Sequence, residues 1–136
     1  MKFLPSVISG FKNYSSVEGR ASRSEFWNWM LFCYLGGPAT VILDRVVFPA
    51  SYRGDPFFSY PLNALFVLVV MVPSVTVGVR RLHDVNRAGA WLFLWFTVIG
   101  IIPLLVWACN KGTEGSNRFG GDPLADAAGK DAAAGK

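Results

Sequence analysis

Three stretches of this chain, 26–43, 61–79 and 90–109, run without a single charged residue. A helix needs roughly 20 consecutive apolar residues, rising 1.5 Å each, to cross a ~30 Å hydrocarbon core. Three runs close to that length in a chain of 136 residues leave little polar material to surround a soluble core. Composition agrees: 52% of residues are hydrophobic and 16% charged, against roughly 25% charged in a soluble domain. The length allows one domain. The expected fold is an all-α integral membrane protein with three transmembrane helices. One membrane domain covers 1–123, and 124–136, alanine- and glycine-rich with nothing to bury, is expected to be disordered or a frayed helix.

The first run begins too late, and is too long, for a cleavable signal sequence. Ahead of it, Phe3, Leu4, Val7, Ile8 and Phe11 share one helical face between Lys2 and Lys12. That segment is read as an amphipathic interfacial helix or as a loosely ordered terminus. Lys2, Lys12, Arg20 and Arg23 precede the first run, and Arg80, Arg81 and Arg87 separate the second from the third. Arg45, Arg53, Lys111 and Arg118 fall on the other side if all three runs cross. The bias places the amino terminus and the Arg80 loop in the cytoplasm and the carboxyl tail opposite. A re-entrant third run, broken at Gly100 and Pro103, would return the tail to the cytoplasm; a single span is the simpler expectation. Trp27 and Trp29 then mark the entry of the first span. Trp91 and Trp107 bracket the third at about 24 Å.

Ser22 followed by Glu25 reads as a capping box at the start of the first span. Pro38, Pro73 and Pro103 interrupt the runs, and kinked helices line substrate paths in some transporters. No Asp, Glu, Lys, Arg or His lies inside any of the three runs, however, and such residues usually mark ion or proton pathways. A small oligomeric transporter or pore subunit is therefore the alternative reading rather than the first.

Four motifs occur in order: GRASRSEFW at 19–27, VRRLHD at 79–84, RAGAW at 87–91 and NRFGGDP at 117–123. Together they resemble the domain-of-unknown-function family 805, which includes the YhaH-like proteins. The resemblance covers roughly 10–123 and implies a small protein of the bacterial inner membrane, with no activity attached. Where members commonly read DTGRSGWW, this chain reads DVNRAGAW. Asn86 thus stands at a turn position that favours glycine, which asparagine tolerates. Ala90 replaces an interfacial tryptophan.

The chemistry-bearing residues gather around VRRLHD. Arg20, Arg23, Arg80, Arg81 and Arg87 are candidates to hold an anionic lipid headgroup. Alternatively they set topology and pair with Glu25 and Asp84 in a structural polar cluster that includes His83. A catalytic His83–Asp84 relay is disfavoured because neighbours on a helix point about 100° apart. No metal-ligand set accompanies His83, and Cys33 and Cys109 are read as packing residues rather than a disulfide. Phe119 is the one large apolar group of the glycine-rich tail, and the aromatic stretch Phe57, Phe58 and Tyr60 is a possible seat for it. The expected role is a non-enzymatic structural or interaction protein of the cytoplasmic membrane, without cofactor or metal. Its expected partners are membrane lipids and a second copy or another membrane protein; nucleic acid is not among them, because the basic residues form no continuous stripe.

Overall fold

In a computed structural model the described residues are 2–48 and 60–134. They form α1 (Phe3–Lys12), α2 (Arg23–Val47), α3 (Pro61–Asp84), a 3₁₀ segment (Gly89–Phe96), α4 (Ile101–Cys109) and α5 (Pro123–Ala134). Among them the one β pairing is an isolated bridge between Asn117 and Gly120. Two helices, α2 and α3, are long and apolar enough to cross a bilayer.

These two helices run antiparallel and are pinned along their length. Ser22 accepts the Glu25 amide at 3.2 Å and starts α2. Trp29 lies at the first crossing, fully buried, its indole N–H donating to Ser74 Oγ at 3.0 Å. Val70, Val77, Phe26, Phe32 and Phe66 close around it. Trp29 is therefore a core residue and not the interfacial anchor expected from its place in the sequence; Trp27 does stay exposed. Proline interrupts both helices, and hydroxyls bridge the disturbed turns. Thr40 Oγ1 donates to Gly37 O at 2.8 Å, and Ser74 Oγ donates to Val70 O at 2.6 Å.

At the far end, α2 caps α3. Asp44, 1% exposed, accepts the amides of Leu62 and Asn63 at 2.9 Å each. Pro61 opens α3 at a position where its missing N–H costs nothing. The carboxylate also faces the positive end of the α3 dipole.

The third apolar run does not form one helix, which corrects the three-span expectation. Its 3₁₀ segment and α4 are joined by a turn at 97–100, where Thr97 N–H donates to Leu94 O and Gly100 N–H to Thr97 O, both at 3.0 Å. A Cβ at Gly100 would stand 2.3 Å from Leu94 O and 2.4 Å from Thr97 Oγ1, so only glycine permits this reversal. Trp91 and Trp107, expected at opposite interfaces, touch edge to face with ring centroids 5.8 Å apart. The carboxyl tail thus emerges at the same end of the α2–α3 pair as the Arg80 loop, not at the opposite end.

α1 packs across the first turns of α2 with its small residues inward. Ser6 and Gly10 are buried, and a Cβ on Gly10 would press 2.4 Å from the Trp29 ring. Leu4 and Ile8 point outward. Phe3–Lys12 is a helix whose small polar residues face the protein, with Val7 and Phe11 packed beside them. The stretch 124–136, expected to be disordered or frayed, is largely carried by α5, which Asp122 starts by accepting the Leu124 amide at 2.9 Å. The expected docking of Phe119 on Phe57 and Phe58 falls outside the described residues, as does Arg53; Phe119 itself stacks on His83.

Replacing Asp44 by alanine removes both cap bonds to α3 at once. We expect a loss of about 1–2 kcal/mol, read from reversible unfolding in mixed detergent micelles; a change within error would show that α3 begins without this cap.

Candidate functional site

The polar cluster forms where five segments meet at the amino-terminal end of α2. Its centre is Asp84, the last residue of α3, 3% exposed. Arg20 Nε donates to Asp84 Oδ1 at 3.0 Å, and Arg81 Nη1 donates to Asp84 Oδ2 one helical turn away. Beside them Arg80 Nη2 donates to Glu25 Oε1 at 3.1 Å and to Arg20 O at 3.4 Å. Ser9 of α1 donates its hydroxyl to the same Glu25 oxygen at 2.9 Å. Glu25 thus exceeds the capping role read from the sequence: its amide is capped by Ser22, while its carboxylate ties α1 to α3.

The two inner arginines also serve as backbone caps. Arg81 donates to the carbonyls of Trp107 and Ala108 at 3.2 Å and to that of Asn110, closing the carboxyl end of α4. Arg23 adds a bond to Cys109 O at 3.4 Å. Those carbonyls are the ones a helix leaves unpaired, and a cation there also meets the negative end of the dipole. Arg20 reaches into the tail, donating to Gly115 O at 2.5 Å and to Thr113 O. A planar fork with five N–H donors can serve a carboxylate and several carbonyls together, which lysine cannot.

The carbonyls at the carboxyl end of α3 are satisfied by the turn that follows it and by chain from elsewhere. Ala21 N–H donates to Arg80 O at 3.0 Å, Arg87 N–H to Leu82 O at 2.8 Å, and Thr113 N–H to Asp84 O at 2.8 Å. Asn117 Nδ2 donates to His83 O at 2.9 Å. Asn86 takes φ of 57° after the helix, the left-handed turn that its sequence position requires. His83 lies flat on Phe119 with centroids 3.9 Å apart, its Nδ1 3.2 Å from Gly19 O. Arg118 covers the other ring contact, 4.6 Å from the Phe119 centroid.

The sequence-derived residues therefore divide. Arg20, Arg80, Arg81, Glu25 and Asp84 are buried and bonded to one another or to the backbone, and His83 is engaged with Phe119 and Asn117 of the tail. Arg23 and Arg87 remain exposed, Arg87 resting over the Trp107 ring at 5.1 Å. A cleft of about 220 Å³ opens beside the cluster, lined by Arg20, Arg23, Asp84, Lys111, Glu114 and Asp122 among others. Its opposite charges largely pair off, as Lys111 does with Glu114. The carboxyl of Asp122 is held below the usual carboxylate range, chiefly by the Leu124 amide. Among the described residues no group of three or more His, Cys, Asp and Glu is placed to hold a metal. The sequence reading missed the roles of Ser9, Gly112 and Thr113, and it took Asn117 only as part of the NRFGGDP motif, without its bond to His83 O. Ser9 carries a signal: with Ser6, Gly10 and Asn13 it makes a small, polar stripe at helical spacing on α1. Gly112 carries none, since its role is to leave room. A Cβ there would stand 2.2 Å from Asp84 Oδ2.

Residues 14–121 match the model of a family described as "Protein of unknown function (DUF805)". Inner membrane protein YhaI of Escherichia coli K12 is 36% identical over 118 residues, covering 85% of this chain and 92% of YhaI. Inner membrane protein YhaH of the same strain is 34% identical over 113 residues, covering 82% and 90%. The uncharacterized protein YiiR, also of that strain, is 29% identical over 133 residues. No solved structure matches the chain.

Removing Asp84 leaves Arg20 and Arg81 buried without their shared carboxylate, so Asp84→Ala should cost about 3–5 kcal/mol in micellar unfolding. Gly112→Ala should cost about 1–3 kcal/mol by crowding the same carboxylate. Arg87→Ala, by contrast, should stay within about 1 kcal/mol of the parent. Equal effects from Asp84→Ala and Arg87→Ala would show that the cluster does not brace the fold.

Proposed function

The chain belongs to the DUF805 family, and from this we propose that it is a non-enzymatic structural or interaction protein of the bacterial inner membrane. In this reading α2 and α3 cross the bilayer, and the buried arginines are an internal brace rather than a reaction centre. The observation that carries it is the double use of Arg20 and Arg81. Each binds the Asp84 carboxylate and, at the same time, carbonyls of the tail or of α4. Such a cluster has few donors left for a substrate. The membrane assignment is supported by the inner-membrane relatives YhaI and YhaH and by the length and hydropathy of α2 and α3.

The headgroup role then falls to the exposed cations at the same end. Arg23 and Arg87 flank the cluster, with Lys111 and Arg118 in the adjoining tail. Arg45 stands at the opposite end, beside Tyr60. This asymmetry supports a cytoplasmic placement of the cluster, the amino terminus and the tail together. Each such cation adds about 1 kcal/mol of attraction to an anionic leaflet. Small residues on the lipid-facing side of α2, such as Gly37, which has open space beside it, are compatible with a second copy or a membrane partner.

The test is native mass spectrometry of protein released from bilayers containing phosphatidylglycerol and phosphatidylcholine. The parent should retain phosphatidylglycerol preferentially. Arg23→Ala/Arg87→Ala should lower that preference several-fold with the fold intact. Arg80→Ala/Arg81→Ala should instead fail to assemble. Undiminished phosphatidylglycerol retention in the first variant would overturn the headgroup role of these two arginines.

A further inference from the structure

Each leg of the 89–109 hairpin is too short to cross a bilayer. The 3₁₀ segment has 8 residues and α4 has 9. At about 2.0 Å and 1.5 Å per residue they reach roughly 16 Å and 14 Å, half of a ~30 Å hydrocarbon core. Both ends of the hairpin are fastened at the cluster end of the molecule. Arg81 holds the carbonyls of Trp107 and Ala108, Gly89 lies against Val79, and Trp91 meets Trp107 at the base. Its tip is apolar and bare: Phe96, Val98 and Ile99 are 81–86% exposed. No charged residue interrupts the hairpin from base to tip.

α1 has the same character at the same level. Its contacts with α2 reach Glu25, Asn28, Trp29 and Phe32, all within the first ten residues of that helix, while Leu4 and Ile8 face out. α2 and α3, at 25 and 24 residues, extend about 36–38 Å. Roughly 20 Å of the pair therefore continues past the reach of both α1 and the hairpin. In water these outward faces would be costly; in acyl chains they match their surroundings.

We propose that α1 and the 89–109 hairpin are seated together in the acyl region of one leaflet only, the leaflet at the Arg20–Arg81–Asp84 end. The protein is then broad in that leaflet and narrow in the other, and it favours membranes in which its broad side is the convex one. The occupant of the hairpin's bare tip is lipid acyl chain from that leaflet. The inference rests on the membrane reading given above. Flotation with vesicles and resistance to carbonate extraction report on that reading alone, so its failure is separable from failure of the one-leaflet arrangement.

Two measurements test the arrangement in vesicles of phosphatidylethanolamine and phosphatidylglycerol. In the first, nitroxide labels are placed singly at Phe93→Cys, Ile99→Cys and Leu105→Cys with Cys33 and Cys109 replaced by alanine. Oxygen should relax the Ile99 label most and a water-soluble nickel complex least, with the other two labels shallower. In the second, an impermeant maleimide reads the native Cys109 and, separately, Ala88→Cys. Both sites should react from the same face. The ratio of outward- to inward-facing Cys109 should rise several-fold from large vesicles to small, highly curved ones. Reaction from opposite faces, a nickel-accessible Ile99 label, or an Ile99 label shielded from both reagents by protein would each overturn the proposal. An orientation ratio indifferent to vesicle size would overturn its curvature preference.

Discussion

Asp84 is the residue on which most of the cluster end depends. It ends α3, receives two guanidinium groups on separate oxygens and offers its backbone carbonyl to Thr113. Directly or through its two arginines, it joins α3 to the Arg20 segment, the end of α4 and the tail. A buried carboxylate between two arginines would be expensive if either arginine lacked further partners. Here Arg20 and Arg81 spend their remaining N–H groups on carbonyls that helix ends and turns leave open. Desolvation of the charges and desolvation of the backbone are therefore relieved by the same side chains. The cluster is polar, yet its effect is that of a core.

The α2–α3 pair is closed by acid groups at both ends, in two different ways. At one end Asp44 acts alone as a cap across helices, accepting two amides of α3. At the other, Glu25 and Asp84 work through arginine. Between them the packing is aromatic, with Trp29 fitted against Gly10 and bonded to Ser74. One Nη1 of Arg80 has no hydrogen-bond partner among the described residues. It is the exception in a set of buried groups otherwise fully engaged.

Much of this was legible in the sequence, and the limits are instructive. The lengths of the runs over α2 and α3 announced two helices able to cross a bilayer, because charge-free length is a direct physical requirement. Ser22 was recognisable as a cap, and Asn86 as a left-handed turn, from local chemistry alone. The third run failed as a single helix because hydropathy has no sense of direction. Twenty apolar residues read alike whether they cross or double back, and the reversal turns on the space beside Gly100. Trp29 misled for a related reason: tryptophan suits both an interface and a core, and only the neighbouring glycine on α1 settles which. The arginines were visible as a group, but their pairing was not, since it depends on carbonyls that carry no sequence signature.

The lateness of the tail in the chain has a consequence for how the protein is made. Arg20 and Arg81 are synthesised long before Thr113, Gly115 and the end of α4, whose carbonyls complete their bonding. Until those residues leave the ribosome, the two guanidinium groups have Asp84 but not the carbonyls that complete their bonding. The α2–α3 pair is made first, but its cluster end closes only once the chain through Gly115 has emerged. A chain stalled or truncated before residue 113 would present an open, cationic end.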